Sequence, residues 1–371
     1  MHVTASRTVI GFPRESTPRD RRTLLTPAVA RLLAEDGFTV LAEPGLAIGV
    51  GCPDQALSTE GVRFAAASEV WSAPLVLRYK CTDPDDVHRL VPGQSIGGLF
   101  HAEGDARLLS ALTTSGATAY SYEFLTEGDR FPLGVAGGQI AGVQAVHRGA
   151  QALQDPAGRG VLLGEIPGAE PAQVVVIGCG NVGSAAARTA VALGASVTVL
   201  TRTEDAAESY LARAPQGVRV AVNTPPLLTR LLADADLVIG AILISTFDTL
   251  PMITETDLAA MQPGAVIVDA TCGYGPGYLP TAGPVQAPGT PPHVVNGVLH
   301  VKLDTLPALV PRTASQAYTA AAAPYLLRLA NHVLNGSDDP VVASACIARD
   351  GQLVHPVCQQ HAAFYGLGVP T

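Results

Sequence analysis

The sequence predicts an α/β protein of two domains, and three observations support this prediction. The chain has 371 residues, about the length of two ordinary domains. Short apolar runs typical of buried parallel strands alternate with segments of helical periodicity. A complete strand–helix–strand unit, VVVIGCGNVGSAAARTAVALGASVTVLTRT, occupies 174–203.

The first part of the chain alternates between predicted strands and helices. A strand in TVIGFPRE (8–15) precedes a charged loop and a helix that begins at Pro27, where proline fits the first turn. Further strands are predicted at 38–41, in APLVLRYKC ending at Lys80, in QSIGGLFH ending at His101, and in ATAYSYEFL ending near Glu123. Ligands bind at the carboxyl ends of strands in open α/β sheets, so these three residues are candidates for a site.

The unit at 174–203 predicts a dinucleotide site. Four branched apolar residues form a strand, and Gly178, Gly180 and Gly183 follow in G-x-G-x-x-G spacing before a helix over 184–193. The first glycine permits a tight turn, the second lets a pyrophosphate approach the backbone, and the third lets helix and strand pack closely. Asn181 and Val182 belong to the same turn, and the N–H groups at the helix start are expected to hold the phosphates.

The end of the second strand of this unit predicts the cofactor. NAD sites usually carry Asp or Glu there, to accept a hydrogen bond from the ribose 2′-hydroxyl. This chain has Thr201, Arg202 and Thr203, and an arginine can bind a 2′-phosphate that a carboxylate would repel. The sequence therefore favours NADP(H) over NAD(H). The alternative is that Arg202 is a solvated surface residue and that the site tolerates either cofactor.

The remaining segments complete the predicted cofactor sheet. A helix over 138–153 leads into it, and strands are expected at 235–244, 264–270 and 293–298, with a helix at 255–261. Leu243, in the first of these strands, is a further candidate for cofactor contact, and Asp304 is a candidate assisting carboxylate. The segment 271–292 has the composition of a loop. A helix over 320–334 is expected to return to the first domain, which the last residues complete.

Composition excludes several classes of protein. The net charge of −9 argues against nucleic acid or an anionic membrane as the main partner. No apolar run is long enough to span a bilayer, and the N-terminus lacks the apolar core of a signal peptide, so a cytoplasmic protein is expected. The six cysteines lack C-x-x-C pairs and indicate reduced thiols, without a metal site. Lys80 and Lys302 are the only lysines.

Several segments together resemble the alanine dehydrogenase and nicotinamide nucleotide transhydrogenase family, whose members include carboxyethylornithine synthase and, more distantly, saccharopine dehydrogenase. The matching segments, in the same order, are GFPRES, RRTLLTP, VLRYKC, GGLFH, GRGVLLGEIPG, VVVIGCGNVG, ADLVIGAIL, PGAVIVDA and LPALVPRTAS. The resemblance implies two Rossmann-like domains around a cleft and a homo-oligomer. We expect residues 1–137 plus 312–371 to form the substrate domain, and 138–311 the dinucleotide domain.

The resemblance also implies roles for individual residues. Arg22 matches the arginine that grips the substrate carboxylate, Lys80 the lysine that hydrogen-bonds the substrate near its reacting carbon, and His101 the catalytic acid/base. Glu123 and Asp304 are expected to orient or assist. Two positions depart from the family pattern: Gly273 stands where an aspartate is usual, and Thr305, beside Asp304, stands where an asparagine is usual.

These expectations give three hypotheses for function. The first is an NADP(H)-dependent enzyme that reduces an imine formed from an oxo acid and a second amine, because Gly273 leaves space for a larger substrate. The second is an alanine-dehydrogenase-type enzyme that uses ammonia. Both act on a small carboxylic acid, with the hydride supplied by the cofactor. The third, from a different class, is a non-catalytic sensor of NADPH.

Overall fold

A computed structural model describes residues 8–17, 20–242, 250–271 and 278–367. The chain divides into two compact units, Met1–Gly137 with Ala308–Thr371, and Gly138–Pro307. Each unit is built on its own mainly parallel sheet, so the predicted α/β class is confirmed.

Fifteen strands and thirteen α-helices lie in the described residues. The strands are β1 (Val9–Phe12), β2 (Thr39–Ala42), β3 (Arg63–Phe64), β4 (Leu75–Lys80), β5 (Ser95–Leu99), β6 (Thr118–Ser121), β7 (Gln173–Ile177), β8 (Ser196–Thr201), β9 (Arg219–Val222), β10 (Leu237–Gly240), β11 (Val266–Asp269), β12 (His293–Val295), β13 (Val298–Lys302), β14 (Cys346–Arg349) and β15 (Gln352–Leu353). The helices are α1 (Pro27–Glu35), α2 (Asp54–Ser58), α3 (Ala67–Trp71), α4 (Pro84–Val87), α5 (Ala106–Ser115), α6 (Val135–Leu153), α7 (Asn181–Ala192), α8 (Glu204–Leu211), α9 (Pro225–Asp234), α10 (Glu255–Leu258), α11 (Pro311–Leu334), α12 (Pro340–Ser344) and α13 (Pro356–Phe364).

The sheet of the first unit has eight strands in the order β15-β14-β6-β5-β4-β1-β2-β3. The six strands from the N-terminal part are parallel. From the C-terminal part, β14 pairs antiparallel with the edge of β6, and β15 pairs antiparallel with β14. The C-terminal residues thus complete a sheet that the N-terminal residues begin.

Side chains of β4 alternate between two cores, one on each face of this sheet. Leu75 and Leu77 pack in a cluster that includes Leu33 of α1 and Leu329 of α11. Val76 packs in a second cluster with helix α5. Because both faces are covered, the first residues of β4 form an apolar run, and Arg78 and Lys80 interrupt the pattern only towards its carboxyl end.

The sheet of the second unit has seven strands in the order β12-β13-β11-β10-β7-β8-β9, all parallel except β12. Strand β7, which carries the glycine fingerprint at its end, lies between β10 and β8. The order reverses at β7, and in doubly wound sheets ligands bind in the crevice outside the strand ends at such a point.

The prediction of a single strand at 293–298 is wrong, because the chain forms a hairpin there. Strands β12 and β13 are joined by Asn296 and Gly297, both of which have positive φ (47° and 80°). An Asn-Gly pair with two positive φ values makes the tight turn that suits the twist of antiparallel strands. The turn lies inside the segment that the sequence analysis assigned to one extended strand.

Besides α6, which begins at Val135 instead of 138, two helix starts differ from prediction. Helix α11 begins at Pro311, nine positions before the predicted start, because proline lacks an N–H that the first turn would leave unpaired. Helix α7 begins at Asn181, three positions early, directly after its N-cap residue Gly180. In both cases the first turn is formed by residues that the sequence pattern presents as a loop.

Two observations concern the predictions from composition. Five cysteines, Cys52, Cys81, Cys179, Cys346 and Cys358, are described and carry free thiols, and the sixth lies outside the described residues. None of the described helices is long and apolar enough to cross a membrane.

His300 of β13 makes the stability of the protein depend on pH. Its ring is fully buried, with Nδ1 3.1 Å from the carbonyl oxygen of Val298 and Nε2 3.0 Å from the hydroxyl of Thr281. A carbonyl only accepts, so Nδ1 is the donor in this bond, while the hydroxyl of Thr281 can pair with Nε2 of the neutral ring as donor. Burial lowers the pKa of His300 from 6.5 to about 4. The folded form therefore takes up its proton at lower pH than the unfolded form.

We expect stability to fall as pH decreases from about 6.5 towards 4, by up to about 3 kcal/mol from this group. Thermal melting of the wild type and of His300→Asn across this range measures the effect, and the variant should show the shallower dependence. His147→Asn, at an exposed histidine of the same unit, is the control. Equal slopes for the wild type and His300→Asn would contradict the assignment.

Candidate active site

The predicted residues Lys80, His101 and Glu123 lie at one edge of the first sheet. Strands β4, β5 and β6 are adjacent and parallel, with Lys80 opposite Leu99 and Gly98 opposite Ser121. Lys80 ends its strand as predicted, whereas β5 and β6 end two residues before His101 and Glu123, at which the sequence had predicted their ends. The sheet thus brings together three of the residues that the sequence analysis selected.

Glu123 holds the backbone of His101. One carboxylate oxygen accepts a hydrogen bond from the backbone N–H of His101 at 2.8 Å and lies 3.4 Å from the ring Nδ1. The other oxygen accepts from the hydroxyl of Ser121. His101 itself has φ 48° and ψ 38°, a left-handed conformation that costs energy in a residue other than glycine. Such strain persists where surrounding contacts enforce it, and here the ring remains 46% exposed.

Arg22 is buried and held in a fork by Asp20. Its Nε donates to one carboxylate oxygen of Asp20 at 2.9 Å and its Nη2 to the other at 2.5 Å. The guanidinium also stacks on the ring of Tyr79, at 4.3 Å from its centroid. Burial opposes ionisation of both groups, but their mutual hydrogen bonds raise the pKa of Arg22 and lower that of Asp20. The neighbouring Arg21 is exposed.

Lys80 belongs to the same charged group. Its side chain is largely buried. Burial raises the pKa of Asp20, the hydrogen bonds and charge of Arg22 lower it, and the positive charge of Lys80 lowers it further. Its backbone N–H donates to a carboxylate oxygen of Glu15 at 3.1 Å. Lys80 and Arg22 thus share the carboxylate of Asp20 as a neighbour, and Lys80 lies opposite Leu99, two residues before the strained His101. Two cations and an imidazole are a set suited to hold a small carboxylate and move one proton.

Sequence analysis did not find the carboxylates that support this edge. Glu15, Asp20 and Asp86 pair with buried arginines, and Arg78 is fully buried between Glu15 and Asp86. The available signal was Arg78 itself. An arginine inside an apolar strand, LVLRYK, requires buried carboxylate partners, because an unpaired buried charge is very costly.

The glycine fingerprint of the second unit has the geometry of a dinucleotide site. Gly178 has φ 109°, which only glycine adopts readily, and a Cβ on Gly183 would lie 1.9 Å from the carbonyl oxygen of Gly178. Among the described residues, a Cβ on Gly180 would meet no atom within 4 Å. These residues therefore do not require glycine at 180, whereas a pyrophosphate that approaches the start of α7 would. Asn181 and Val182 form the first turn of that helix.

We expect the two glycines to respond differently to alanine. Gly180→Ala should leave the melting temperature unchanged, because its φ of −72° suits alanine, but should weaken dinucleotide binding about tenfold or more. Gly183→Ala should lower the melting temperature, because the new methyl group collides with the backbone of Gly178. Thermal melting and fluorescence titration with NADPH and NADH measure both effects. A normal affinity in a folded Gly180→Ala protein would refute the phosphate contact.

The strand end at Thr201 is arranged differently from the predicted phosphate site. The hydroxyl of Thr201 is buried and donates within the protein, to the carbonyl oxygen of Thr203 at 3.1 Å. The hydroxyl of Thr203 accepts from the N–H of Ala206 and caps helix α8. Arg202 and Thr203 are exposed, and the Thr203 hydroxyl, which accepts in this bond, still has a hydrogen to donate, so these two side chains remain available for a ligand.

The other predicted residues of the second unit are distributed as follows. Asp304 is exposed and follows β13, and Thr305 after it has a positive φ of 53°. Lys302 forms a buried ion pair with Asp269, 3.4 Å apart, at the carboxyl ends of β13 and β11. Leu243 and Gly273 lie outside the described residues.

Comparison with known proteins covers almost the whole chain. Residues 11–133 match the family model described as "Alanine dehydrogenase/PNT, N-terminal domain", and residues 145–356 match "Alanine dehydrogenase/PNT, C-terminal domain". The alanine dehydrogenase of Halomonas elongata is 34% identical over 353 residues, which are 93% of this chain and 94% of that protein. The alanine dehydrogenase of Bacillus subtilis is 33% identical over 325 residues, 87% and 86% of the two chains. A solved L-alanine dehydrogenase structure matches with a TM-score of 0.87 at 31% identity and covers 97% of this chain and 100% of its own.

Proposed function

Because the chain belongs to the alanine dehydrogenase/PNT family, we propose that it interconverts a small 2-amino acid with the corresponding 2-oxo acid and ammonia. The predicted enzyme class was a nicotinamide-dependent dehydrogenase or reductase acting on CH–NH or CH–NH2 groups, and this family agrees with the CH–NH2 part of it. The observation that supports the proposal best is the group Lys80, His101, Glu123 and Arg22 at one sheet edge, in a chain that also carries a complete dinucleotide fingerprint.

The relatives favour the ammonia hypothesis over the secondary-amine hypothesis of the sequence analysis. Relatives named alanine dehydrogenase match over most of their own length as well as over most of this chain. The case for a larger amine rested on Gly273, which lies outside the described residues. No described residue replaces that argument, so the simple amino-acid dehydrogenase is our main proposal.

The first unit, in this proposal, holds the acid and moves its protons. The guanidinium of Arg22, kept charged by Asp20, binds the substrate carboxylate, and the ammonium of Lys80 donates a hydrogen bond near the reacting carbon. His101 takes a proton from the substrate amine as the carbon is oxidised to the imine, and later from the water that attacks it. Loss of ammonia then gives the oxo acid.

The second unit, in this proposal, holds the dinucleotide. The backbone at Gly180 and the N–H groups of Asn181 and Val182, at the start of α7, would hold the pyrophosphate. When bound, the nicotinamide accepts the hydride that leaves the substrate carbon, so the reaction consumes one amino acid, one water and one oxidised cofactor. It yields one oxo acid, one ammonium ion, one reduced cofactor and one proton.

For the cofactor we propose NADP(H) ahead of NAD(H). The strand end lacks a carboxylate to accept from a ribose 2′-hydroxyl, and the exposed Arg202 can bind a 2′-phosphate. Two features oppose this preference. First, the hydroxyl of Thr201 donates to the carbonyl oxygen of Thr203, so we leave Thr201 out of the phosphate site. Second, Glu204 and Asp205 add negative charge in the first turn of α8, next to Arg202.

One spectrophotometric experiment tests the proposed function. The purified protein is mixed with NADPH or NADH, pyruvate, and either ammonium or a panel of amino acids and amines, and the loss of the reduced-nicotinamide absorbance is followed. We expect oxidation with ammonium alone. Oxidation only with a second amine would instead support the imine-reducing enzyme. Binding of NADPH without turnover in every combination would support the non-catalytic sensor and refute the proposal.

A further inference from the structure

A bulge in strand β4 lies immediately before Lys80. The pairing of β4 with β5 begins in the register Leu77 opposite Gly97 and ends with Lys80 opposite Leu99. Three steps along β4 thus match two steps along β5, so β4 carries one extra residue. A bulge of this kind increases the local twist and changes the direction of the side chains that follow it, and bulges are frequent beside functional sites.

On its other side, β4 extends past its neighbour. Strand β1 pairs with β4 only at Leu75 and Val76 and ends at Phe12, so the last amides of β4 have no strand beside them. The carboxylate of Glu15 takes that place. One of its oxygens accepts from the N–H of Tyr79 at 3.0 Å and the other from the N–H of Lys80 at 3.1 Å. In a regular strand, consecutive amides point in opposite directions, so this convergence requires the bulge.

The surroundings of Glu15 combine burial with charges of both signs. Its side chain is 8% exposed and lies 3.4 Å from the guanidinium of Arg78. Burial raises the pKa of Glu15 to about 7, and the nearby Asp20 adds to this, whereas Arg78 and the two backbone amides act in the opposite direction. Other titratable groups that interact with this carboxylate are Arg22, Tyr79, Cys81 and Tyr122.

We propose that the ionised Glu15 carboxylate is a positioning group: it closes the β4 bulge and so fixes the direction in which Lys80 leaves the strand. A carboxylate can accept from both amides at once, whereas a protonated carboxyl group has one oxygen that carries a hydrogen. The hydrogen on that oxygen meets the hydrogen of an amide N–H. Protonation therefore weakens the two hydrogen bonds from Tyr79 and Lys80 to Glu15, which we call the clamp. The catalytic consequence of this inference rests on the function proposed above, but the structural clamp does not.

The scarcity of lysine makes the clamp directly observable. Selective labelling with [15N]lysine gives two backbone amide signals, from Lys80 and Lys302, and Lys302→Arg identifies which is which. The N–H of Lys302 donates to the neutral side-chain oxygen of Gln286 at 3.2 Å, so it is an internal control. We expect the Lys80 amide shift to titrate in the wild type near pH 7 and not in Glu15→Gln. A Lys80 signal that does not titrate in the wild type, or titrates equally in both proteins, would overturn the proposal.

Activity tests whether the clamp matters for turnover. Glu15→Gln should lower kcat by about a hundredfold, the effect of a small displacement of a positioned group, with little change in the KM for the cofactor. The rate of the wild type should fall on the acid side of pH 7 as Glu15 becomes protonated, and Glu15→Gln should lose this acid limb. Glu15→Asp, whose shorter side chain reaches only one amide, should also be slow.

Asp54→Asn is the matched control, because the carboxylate of Asp54 also accepts a backbone bond, from Gly45 at 2.9 Å, away from β4. Near-normal turnover of Glu15→Gln, together with a titrating Lys80 amide, would show a structural clamp without a positioning role and overturn the proposal. If Glu15→Gln does not fold, the wild-type titration alone decides. Absence of turnover in the wild type would refute the proposed function but leave the labelling result intact.

Discussion

Replacement of His101 by alanine is expected to reduce kcat by about a hundredfold or more, the usual consequence of losing a general acid/base. An imidazole can both take and return a proton, and His101 places one at this sheet edge. The reasoning is geometric as well as chemical. The backbone of His101 is held in a left-handed conformation by its hydrogen bond to Glu123, while the ring stays exposed.

Steady-state rates and cofactor titrations together test this expectation. The Kd for the dinucleotide should not change in His101→Ala, because the fingerprint belongs to the other unit. His88→Ala, at an exposed histidine of the first unit, should behave as the wild type. If His101→Ala retains more than about a tenth of wild-type kcat, His101 is not the proton-transfer group.

Replacement of Arg202 by aspartate is expected to weaken NADPH binding about a hundredfold, or roughly 2 to 3 kcal/mol. The change removes a cation from the exposed strand end and puts a carboxylate beside Glu204 and Asp205, so a 2′-phosphate would meet three negative charges. NADH should bind as well as before or better, since a carboxylate there can accept from the ribose 2′-hydroxyl.

Affinities for NADPH and NADH, measured at two salt concentrations, separate a local contact from a general charge effect. Arg230→Asp makes the same change in net charge on the exposed face of α9 and should leave the ratio of the two affinities unchanged. Equal losses for NADPH and NADH in Arg202→Asp would refute the 2′-phosphate contact and leave NAD(H) as the better assignment.

The parts of the fold with strong local signals could be predicted from sequence. Strand β4 ends at Lys80 as predicted, because an apolar run ends there in a charged residue. The fingerprint strand β7 and the strand after it were also found, because branched residues and glycines occur at fixed spacing. These features depend on residues that are close together in the sequence.

The parts that could not be predicted depend on contacts between distant segments. The carboxylate of Glu15 meets the amides of Tyr79 and Lys80 across more than sixty positions, and no spacing rule indicates such a bond. The bulge in β4 arises from the pairing with β5, which a single strand does not encode. The hydrogen bond from the Thr201 hydroxyl to the carbonyl oxygen of Thr203 likewise has no signal in the spacing of the residues, and it is the reason why our proposal leaves Thr201 out of the phosphate site.

The interrupted path of the chain has a consequence for synthesis. The N–H of Thr23 donates to the hydroxyl of Ser315, 292 positions later, and β6 receives its second neighbour from β14. A nascent chain therefore contains all of 138–307 before it contains the residues that finish the first unit. Until the ribosome delivers them, β6 keeps an open edge and the cluster around Leu329 is incomplete, a state that exposes apolar surface and unpaired backbone to other chains.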